Sequence, residues 1–454
     1  MVISSLSGAF HLFHSFKALV IGDFLLDTYT MGRVRRVSPE APVQVLEVLD
    51  QESKAGGAGN AALNLIALGG SVSVMGRIGS DPEGELLKKT LLQSGADVRF
   101  LLVEKGYRTP VKNRLIADSQ QLMRIDMETV VKATDEVEEM ATAMLEEIIP
   151  FMQVIAISDY GKGFLTKKLI AASISIAKRA NVSCIVDPKG TDFTKYRGAD
   201  ILKPNLSEAY KAAALPESAS LDTVASQILK SVNIKQLLIT RSEAGMSLFD
   251  RKGQRLDFPV RAREVKDVTG AGDTVLAMIG LGIANGIDIS VCAQLANIAA
   301  GIAIEKLGCA TICLSDVAER LLEIDCKNKI FHEHQMYVLQ QVLKNKYYGL
   351  LVLDRAETMS GDLFQTICRL AKEYYLVLYI RGSDPEDEFV QILSTLHDIK
   401  AIILQKENLR QLCNIIHPHE VFFFKDRNMK KLDDHLLETA AFTIWAPPKQ
   451  YSPS

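Results

Sequence analysis

Residues 267–274 read DVTGAGDT, and the rest of the chain is organised around this stretch. The small residues Gly270, Ala271 and Gly272 let backbone N–H groups approach a ligand closely. An apolar run that begins at Thr274 predicts a helix directly after them. Because the first amides of a helix are unpaired and carry partial positive charge, this turn is suited to bind phosphate.

Asp273 lies where the predicted helix starts, so its carboxylate could accept a proton from a substrate hydroxyl. An anion-binding turn beside a base is the arrangement that phosphoryl transfer to an alcohol requires. Alternatively, Asp273 only caps the helix, because an aspartate before an apolar run is common at helix starts. Both interpretations stay open from this stretch alone.

Composition narrows the class of protein. The chain has 454 residues, which indicates two domains, and its 52 basic and 55 acidic residues argue against a nucleic-acid partner. Seven cysteines without metal-type spacing are typical of reduced thiols in a cytosolic protein. No apolar run has the length of a membrane span, and the N-terminus lacks a basic region. We therefore expect a cytoplasmic protein without a signal peptide or membrane contact.

The positions of the eight histidines limit the chemistry, because none lies between residues 15 and 331. A histidine-based zinc site or a Ser-His triad is excluded from that stretch, so acid–base chemistry there must use carboxylates or lysine. The only Gly-Lys pair, at Gly161, lacks the flanking residues of a Walker A loop.

Strand and helix patterns alternate from residue 135 to residue 306, which predicts an α/β fold with a parallel sheet covered by helices on both faces. Polar clusters follow several predicted strands, at the edge where such folds bind ligands. The segments 43–48, 97–103, 111–117 and 120–126 predict short antiparallel strands of a small separate sheet. A second, smaller α/β segment is predicted from residue 349 to residue 424.

A glycine-rich segment at residues 56–60 leads into a predicted helix. It formally matches a dinucleotide fingerprint, which we discount because polar residues 50–54 separate it from the preceding strand. One interpretation is a backbone surface for a sugar, formed by Gly56 and Gly57, with Asn60 reaching the sugar hydroxyls. The other is a tight helix entry.

Asn205 and Glu208 are the best candidates for magnesium binding, since their spacing puts both on one face at the start of a helix. Magnesium prefers oxygen ligands and often binds through water. Alternatively, the two residues form a capping box, and the two roles are compatible.

These motifs resemble those of the ribokinase-like (PfkB) carbohydrate kinases over about residues 15–325. Residues 267–274 resemble the C-terminal signature of that family and residues 56–60 its N-terminal signature. The Asn205-x-x-Glu208 pattern resembles the family's magnesium motif. The resemblance implies a parallel sheet sandwiched by helices with a small β lid, and an ATP- and Mg²⁺-dependent phosphotransferase that acts on an alcohol group.

The expected site follows from this resemblance and from the polar strand ends. Asp273 is the expected catalytic base, and Gly270, Ala271 and Gly272 form the expected anion hole. The expected substrate-binding residues are Asp23, Gly56, Gly57, Asn60, Arg124 and Lys189. The expected nucleotide- or metal-binding residues are Asn205, Glu208, Thr240, Ser242, Glu243, Gly245 and Asn297.

Residues 38–43, 120–126, 187–192 and 203–208 resemble, more narrowly, the kinase half of the bifunctional heptose 7-phosphate kinase/heptose 1-phosphate adenylyltransferases. The resemblance implies phosphorylation of D-glycero-β-D-manno-heptose 7-phosphate at its anomeric hydroxyl, in the synthesis of ADP-heptose for lipopolysaccharide core. Three cations, Lys189, Arg124 and Arg36, are candidates to hold the 7-phosphate, or are solvated or ion-paired surface charges.

The C-terminal part departs from this pattern. We predict a kinase domain over residues 1–328 and a nucleotidyltransferase-like, Rossmann-type domain over residues 329–454. The His-x-Gly-His motif of the adenylyltransferase half would fall on residues 359–362, where only the glycine is retained. Met359 carries no cation and Asp362 would repel phosphate, so we predict that this domain is inactive.

Two other functions stay open. The chain could be a PfkB-type kinase for another sugar or nucleoside, or a non-catalytic assembly subunit. The exposed edges of the predicted lid favour a homodimer formed through the lids.

Overall fold

The computed structural model describes residues 6–118, 120–260, 265–306, 308–325, 329–332, 335–353, 359–381, 384–385, 387–405, 409–425 and 427–432. The chain divides into two compact units, one of residues Leu12–Cys313 and one of Met1–His11 with Leu314–Ser454. The domain boundary at residue 328, which follows the family resemblance, stays a prediction.

The larger unit contains thirteen strands and eight α-helices in its described part. The strands are β1 (Phe16–Gly22), β2 (Phe24–Val37), β3 (Gln44–Gly57), β4 (Gly70–Gly79), β5 (Asp97–Glu104), β6 (Val111–Ala117), β7 (Gln120–Met127), β8 (Val154–Ser158), β9 (Ser183–Asp187), β10 (Ile201–Leu202), β11 (Gln236–Thr240), β12 (Met246–Asp250) and β13 (Arg255–Phe258). The helices are α1 (Ala58–Ala67), α2 (Pro82–Gln93), α3 (Asp135–Ile148), α4 (Lys167–Arg179), α5 (Leu206–Ala213), α6 (Leu221–Val232), α7 (Ala271–Ala284) and α8 (Ile289–Ala303).

Nine strands form the main sheet in the order β13-β12-β11-β10-β9-β8-β1-β4-β5. The pairs from β11 through β5 are parallel, and β12 and β13 add an antiparallel hairpin at one edge. The central strands β1 and β8 are apolar and buried almost throughout, as expected when helices cover both faces of a sheet. The predicted fold class is therefore confirmed.

A separate four-stranded sheet, which we call the lid, has the order β3-β2-β6-β7. The lid corrects three expectations. The strand β2, which is as long as β3, was not predicted. The strands β6 and β7 pair antiparallel as expected, but β6 also pairs with β2 in parallel, and β5, which was expected in this small sheet, belongs to the main sheet beside β4. The apolar alternation of a short strand does not reveal its partner, because pairing is decided by contacts distant in sequence.

Residues 50–54 do not interrupt a strand, contrary to our expectation. They lie inside β3, which continues to Gly57 and leads directly into α1. This half of β3 is mostly exposed in the lid, so polar residues are tolerated there without breaking the backbone ladder with β2.

The smaller unit is a second α/β fold. Its strands are β14 (Ile330–Phe331), β15 (Tyr348–Leu353), β16 (Tyr375–Arg381), β17 (Ile399–Gln405), β18 (Glu420–Lys425) and β19 (Asn428–Leu432). Its helices are α9 (Leu314–Asp325), α10 (Met336–Leu343), α11 (Gly361–Glu373), α12 (Glu388–Thr395) and α13 (Leu409–Ile416). The six strands pair in the order β14-β17-β16-β15-β18-β19, parallel except for the last pair. The predicted second α/β segment is confirmed.

Among the residues that the structure describes, no helix is long and apolar enough to cross a membrane.

Candidate active site

The turn before α7 owes its shape to Gly270, which precedes the helix with a φ of 81°. A Cβ atom on Gly270 would lie 2.7 Å from Asn60 Nδ2, so both the backbone conformation and the close approach require glycine. The helix begins at Ala271, two residues earlier than expected, and Gly272 and Asp273 lie in its first turn. The amides of such a turn lack intrahelical partners and favour an anion.

Asp273 does not cap α7, because no side chain accepts a capping hydrogen bond there, so that alternative is wrong. Its side chain points into the protein, and only 2% of the residue is exposed. Asn60 Nδ2 donates to Asp273 Oδ2 at 2.8 Å, and the Tyr160 hydroxyl lies 3.0 Å from Oδ1 and 3.2 Å from Oδ2. The site thus joins residues from α1, the loop after β8, and α7.

Burial raises the pKa of Asp273 to about 7. The nearby carboxylate of Asp187 contributes to this rise, whereas the hydrogen bonds from Asn60 and Tyr160 and the charge of Lys203 oppose it. A carboxylate whose pKa lies near neutral pH is matched to accept a proton in general-base catalysis.

A cation that the sequence analysis did not single out, Lys203, lies beside the anion-binding turn. The position of a Cβ atom on Gly272 would be 3.4 Å from Lys203 Nζ, and the ammonium forms an ion pair of 2.9 Å with Asp187. Lys203 follows β10 and is buried, with 3% of its surface exposed. Lysines are rarely buried this deeply unless they are paired, as Lys203 is with Asp187.

Asn205 and Glu208 form a complete capping box at the start of α5. The Glu208 carboxylate accepts from the Asn205 amide at 3.0 Å and from Lys189 Nζ at 2.6 Å. Within the described residues no group of three or more His, Cys, Asp or Glu side chains could hold a metal ion. Magnesium binding by Asn205 and Glu208 stays a prediction.

The expected nucleotide-binding residues lie along the neighbouring strand ends. Asn205 and Thr240 form an isolated parallel bridge, and the short 3-10 helix Ser242–Ala244, which includes Glu243, follows. Gly245 has a φ of 82°, and a Cβ atom there would clash with the Phe258 carbonyl at 1.9 Å. Asn297 lies on α8 and donates to the carbonyl of Pro259 at 2.8 Å. Nucleotide contact by these residues stays a prediction.

The carboxylate of Asp23, which we expected to contact substrate, already accepts hydrogen bonds from backbone amides. Its two carboxylate oxygens accept from the amides of Tyr160, Lys162 and Phe164 at 3.0, 2.9 and 3.3 Å. Burial and the neighbouring Asp159 raise the pKa of Asp23 to about 6. In this structure Asp23 holds the loop after β8, and a direct contact with substrate stays a prediction.

Asp27 in the lid strand β2 is a buried carboxylate that the sequence analysis missed. It forms an ion pair with Arg114 and accepts a hydrogen bond from the Cys309 thiol at 3.5 Å. A Cβ atom on Gly56 would lie 2.0 Å from its Oδ2, so Gly56 is required for this approach. An aspartate directly after the apolar stretch 24–26 was the available signal.

The neighbouring Gly57 precedes α1 with a φ of 57°, which supports the tight helix entry. Contact of this glycine with a sugar stays a prediction. Asn60 is buried and holds Asp273, so its amide nitrogen is already engaged.

Lys112 lies over the ring of Tyr160, and the charges of two further cations, Lys162 and Arg124, act on it. Lys112 Nζ lies 5.4 Å from the Tyr160 ring centroid, and the pKa of Lys112 is lowered by burial and then by Lys162, with Arg124 contributing. Arg124 pairs with Asp126 at 2.7 Å. We call Lys112, Arg124 and Lys162 the cation group.

The other two expected phosphate-binding cations lie elsewhere. Lys189 pairs with Glu208, at the strand ends that carry the expected nucleotide residues. Arg36 is exposed near the end of β2. Lys189 follows β9 of the main sheet whereas Arg124 lies in β7 of the lid, and the two side chains pair with different carboxylates.

Known proteins similar in sequence to this chain include a family of kinases and two named relatives. The pfkB family of carbohydrate kinases matches residues 17–316. A relative from Trichlorobacter lovleyi, named Bifunctional protein HldE, is 46% identical over 303 residues, which are 66% of this chain and 62% of that protein. The protein of the same name from Pelobacter propionicus is 41% identical over 435 residues, covering 91% and 89% of the two chains. The match to the first of these relatives thus spans less than two thirds of its length.

Solved structures support the fold of the larger unit. Arabidopsis thaliana ribokinase, solved with ribose and ATP, aligns with a TM-score of 0.53 at 19% identity over 68% of this chain and 99% of its own. Phosphofructokinase-2 from Escherichia coli aligns with a TM-score of 0.57 at 18% identity and the same coverage. At these identities the likeness concerns the ribokinase-like fold alone.

Proposed function

Because the chain belongs to the pfkB family of carbohydrate kinases, we propose that it transfers the γ-phosphate of ATP to a hydroxyl group of a phosphorylated sugar. The substrate that we propose is D-glycero-β-D-manno-heptose 7-phosphate, phosphorylated at its anomeric hydroxyl. The family match and the identity to proteins named Bifunctional protein HldE support this choice.

Asp273 supplies the base for this reaction. The sugar hydroxyl gives its proton to the Asp273 carboxylate, its oxygen forms a bond to the γ-phosphorus, and the bond from that phosphorus to the β-phosphate oxygen breaks to release ADP. The donors Asn60 and Tyr160 hold the carboxylate in place for the transfer. Burial excludes water, which strengthens each electrostatic interaction at the site.

Negative charge on the transferred group is stabilised from two directions in this proposal. The first-turn amides of α7 after Gly270 face it as an anion hole, and Lys203 adds a buried positive charge beside Gly272. Magnesium bound with the nucleotide would neutralise further phosphate charge, and Glu208 and Asn205 would hold it through water.

The choice of a phosphorylated substrate is supported by the surroundings of Lys112. Within the described part of the chain its ammonium has no carboxylate within ion-pair distance, although burial lowers its pKa. Lys162 and Arg124, by contrast, are paired with Glu128 and Asp126. Asp27, Asp126 and Glu128 act on Lys112 only from beyond ion-pair distance. A half-buried lysine that no carboxylate pairs directly, beside the ring of Tyr160, is suited to bind an anion of the substrate.

Turnover with a panel of sugars and sugar phosphates tests the proposal. We expect ATP-dependent turnover with the heptose 7-phosphate and much weaker turnover with the unphosphorylated heptose. Lys112→Gln should raise KM for the phosphorylated sugar by roughly tenfold or more, the scale of one charged hydrogen bond, and leave KM for ATP unchanged. Lys89→Gln, an exposed change on α2, is the matched control.

Preference for an unphosphorylated sugar or a nucleoside would contradict the substrate and favour another PfkB-type kinase. No turnover with any member of the panel would favour an assembly subunit without catalysis.

We also propose a homodimer formed through the lid. Leu122, Met123 and Ile125 on β7 and Leu49 on β3 are exposed apolar side chains of the lid sheet. β3 and β7 are the two edge strands of the lid, and exposed apolar side chains on edge strands are typical of surfaces that bind a partner. Light scattering of the wild-type protein and of Met123→Glu tests it, since the charged variant should shift the population toward monomer.

A further inference from the structure

The loop that follows β8 is held rigidly before it reaches the site. The carboxylate of Asp23 accepts from three of its amides, and Asp159 Oδ1 accepts from the amide of Gly161 at 2.7 Å. Arg77 donates to the carbonyl of Lys162 at 3.0 Å. These hydrogen bonds fix the backbone of Tyr160, so its side chain extends from a rigid loop.

The Tyr160 phenol reaches both oxygens of Asp273, at 3.0 and 3.2 Å. A phenol has one hydrogen to donate, so it bonds to one carboxylate oxygen at a time. Asn60 supplies the second donor, at 2.8 Å from Oδ2. Two donors on a carboxylate that accepts through several lone pairs leave capacity for a substrate hydroxyl.

We infer that Tyr160 is a positioning residue for the catalytic base: its hydroxyl donates to the Asp273 carboxylate and orients it to accept the substrate's proton. This inference rests on the proposed function, and it adds a role for a residue that neither the motifs nor the family match assigned. The ring also separates Asp273 from Lys112 of the cation group.

Five groups act on the charge of Asp273 from the elements packed around it. They are Asn60 on α1, Tyr160 after β8, Asp187 at the end of β9, Lys203 after β10, and Cys309. Burial and Asp187 raise the pKa of Asp273, whereas Asn60, Lys203 and Tyr160 lower it. Loss of the phenol hydroxyl removes one of the opposing contributions, so the pKa of Asp273 should rise above about 7.

Tyr160→Phe tests this role through the pH profile of kcat/KM. The acidic limb of the profile should move up by about one pH unit, the equivalent of one hydrogen bond to a charged group. Activity should fall about tenfold at pH 6 and return close to the wild-type value at pH 9. KM for ATP should stay unchanged, because the phenol does not face the nucleotide residues.

Tyr196→Phe is the matched control, since its hydroxyl donates to Asp159 at 2.7 Å rather than to Asp273. It should leave the acidic limb in place. An equal loss of activity at every pH in Tyr160→Phe, with an unmoved limb, would overturn the inference and leave the tyrosine a structural role.

If Tyr160→Phe does not fold, two other measurements still test the inference. Replacement of Tyr160 by a fluorinated tyrosine keeps the shape and makes the phenol a stronger donor, so the acidic limb should move to lower pH. The carboxyl pKa of Asp273 can also be read without turnover, by ¹³C NMR of aspartate-labelled protein with Asp273→Asn for assignment. An unshifted carboxyl pKa contradicts the inference, whereas absent turnover in wild-type protein contradicts only the proposed function.

Discussion

Asp273 is buried among polar partners that come from distant parts of the chain. Asn60 is 213 positions away in sequence and Tyr160 is 113 positions away, yet both hydrogen-bond the same carboxylate. Burying this carboxylate costs free energy of folding, because an ionised carboxylate loses its hydration when it is buried. The same burial raises the pKa of Asp273, which is useful in a catalytic base.

Asp273→Asn removes the base and keeps the size of the side chain. We expect kcat to fall by at least ~10²-fold, the scale of lost general-base catalysis, with little change in sugar binding. Steady-state kinetics measures kcat, and calorimetry of sugar binding serves as the control. Turnover close to that of the wild-type protein would exclude Asp273 as the base.

The same substitution should change how stability depends on pH. The pKa of Asp273 is raised from 3.8 to about 7 in the folded state, so between these values the folded protein holds a proton that the unfolded chain releases. Stability from this group is therefore fully present below about pH 4 and is lost as pH rises through about 7. Asn cannot ionise, so the variant should gain on the order of a few kcal/mol over wild type by pH 8.

Thermal unfolding of both proteins at pH 5 and pH 8 measures this difference. A Tm difference between them that does not change with pH would show that Asp273 has no raised pKa in the folded protein.

At the scale of elements, the N-termini of three helices contribute residues to the site. Gly57 precedes α1, Asn205 caps α5 and Gly270 precedes α7, and each lies in a loop after a strand or at a strand end. Local spacing predicts these features because caps and positive-φ glycines involve residues only a few positions apart. The lid strands lack such local signals, since pairing between strands is not local.

Glu208→Gln separates the charge of this residue from its structural role. Glutamine keeps the capping box with Asn205 but loses the negative charge that pairs with Lys189. If Glu208 acts on the magnesium–nucleotide complex, the magnesium concentration for half-maximal activity should rise roughly fivefold or more, with KM for the sugar unchanged.

Glu217→Gln, an exposed change after the same helix, is the control for altered surface charge. A changed sugar KM with an unaltered magnesium curve would place Glu208 on the sugar side instead.

At the scale of the whole molecule, the two units differ in the chemistry that their sequences retain. In the smaller unit, Ser360 caps α11 and accepts from the Leu363 amide at 3.2 Å, and Gly361 begins the helix. Met359 and Asp362 occupy the positions where the resemblance places histidines, and residues 354–358 before them lie outside the described part of the chain. The parallel core of β15, β16, β17 and β18 is nevertheless formed.

We predict that the full chain does not form ADP-heptose from heptose 1-phosphate and ATP. Nucleotidyl transfer needs donors on a triphosphate whose charge grows in the transition state, and Met359 and Asp362 supply none. Chromatography of the products with a pyrophosphate assay measures the reaction, and the sugar kinase assay on the same sample shows that the protein is active. Formation of ADP-heptose and pyrophosphate would contradict an inactive domain.

The sequence by itself determined the α/β fold class, the turn before α7 and the capping box of α5, because periodicity, glycine positions and cap spacing act over a few residues. Only the tertiary structure decided that β5 joins the main sheet, that Lys189 faces Glu208 rather than Arg124, and that Tyr160 reaches Asp273. It also brought Lys203 to Gly272. These features depend on which strands become neighbours and on side chains that meet across the sheet, and such long-range packing leaves no spacing signal in a single sequence.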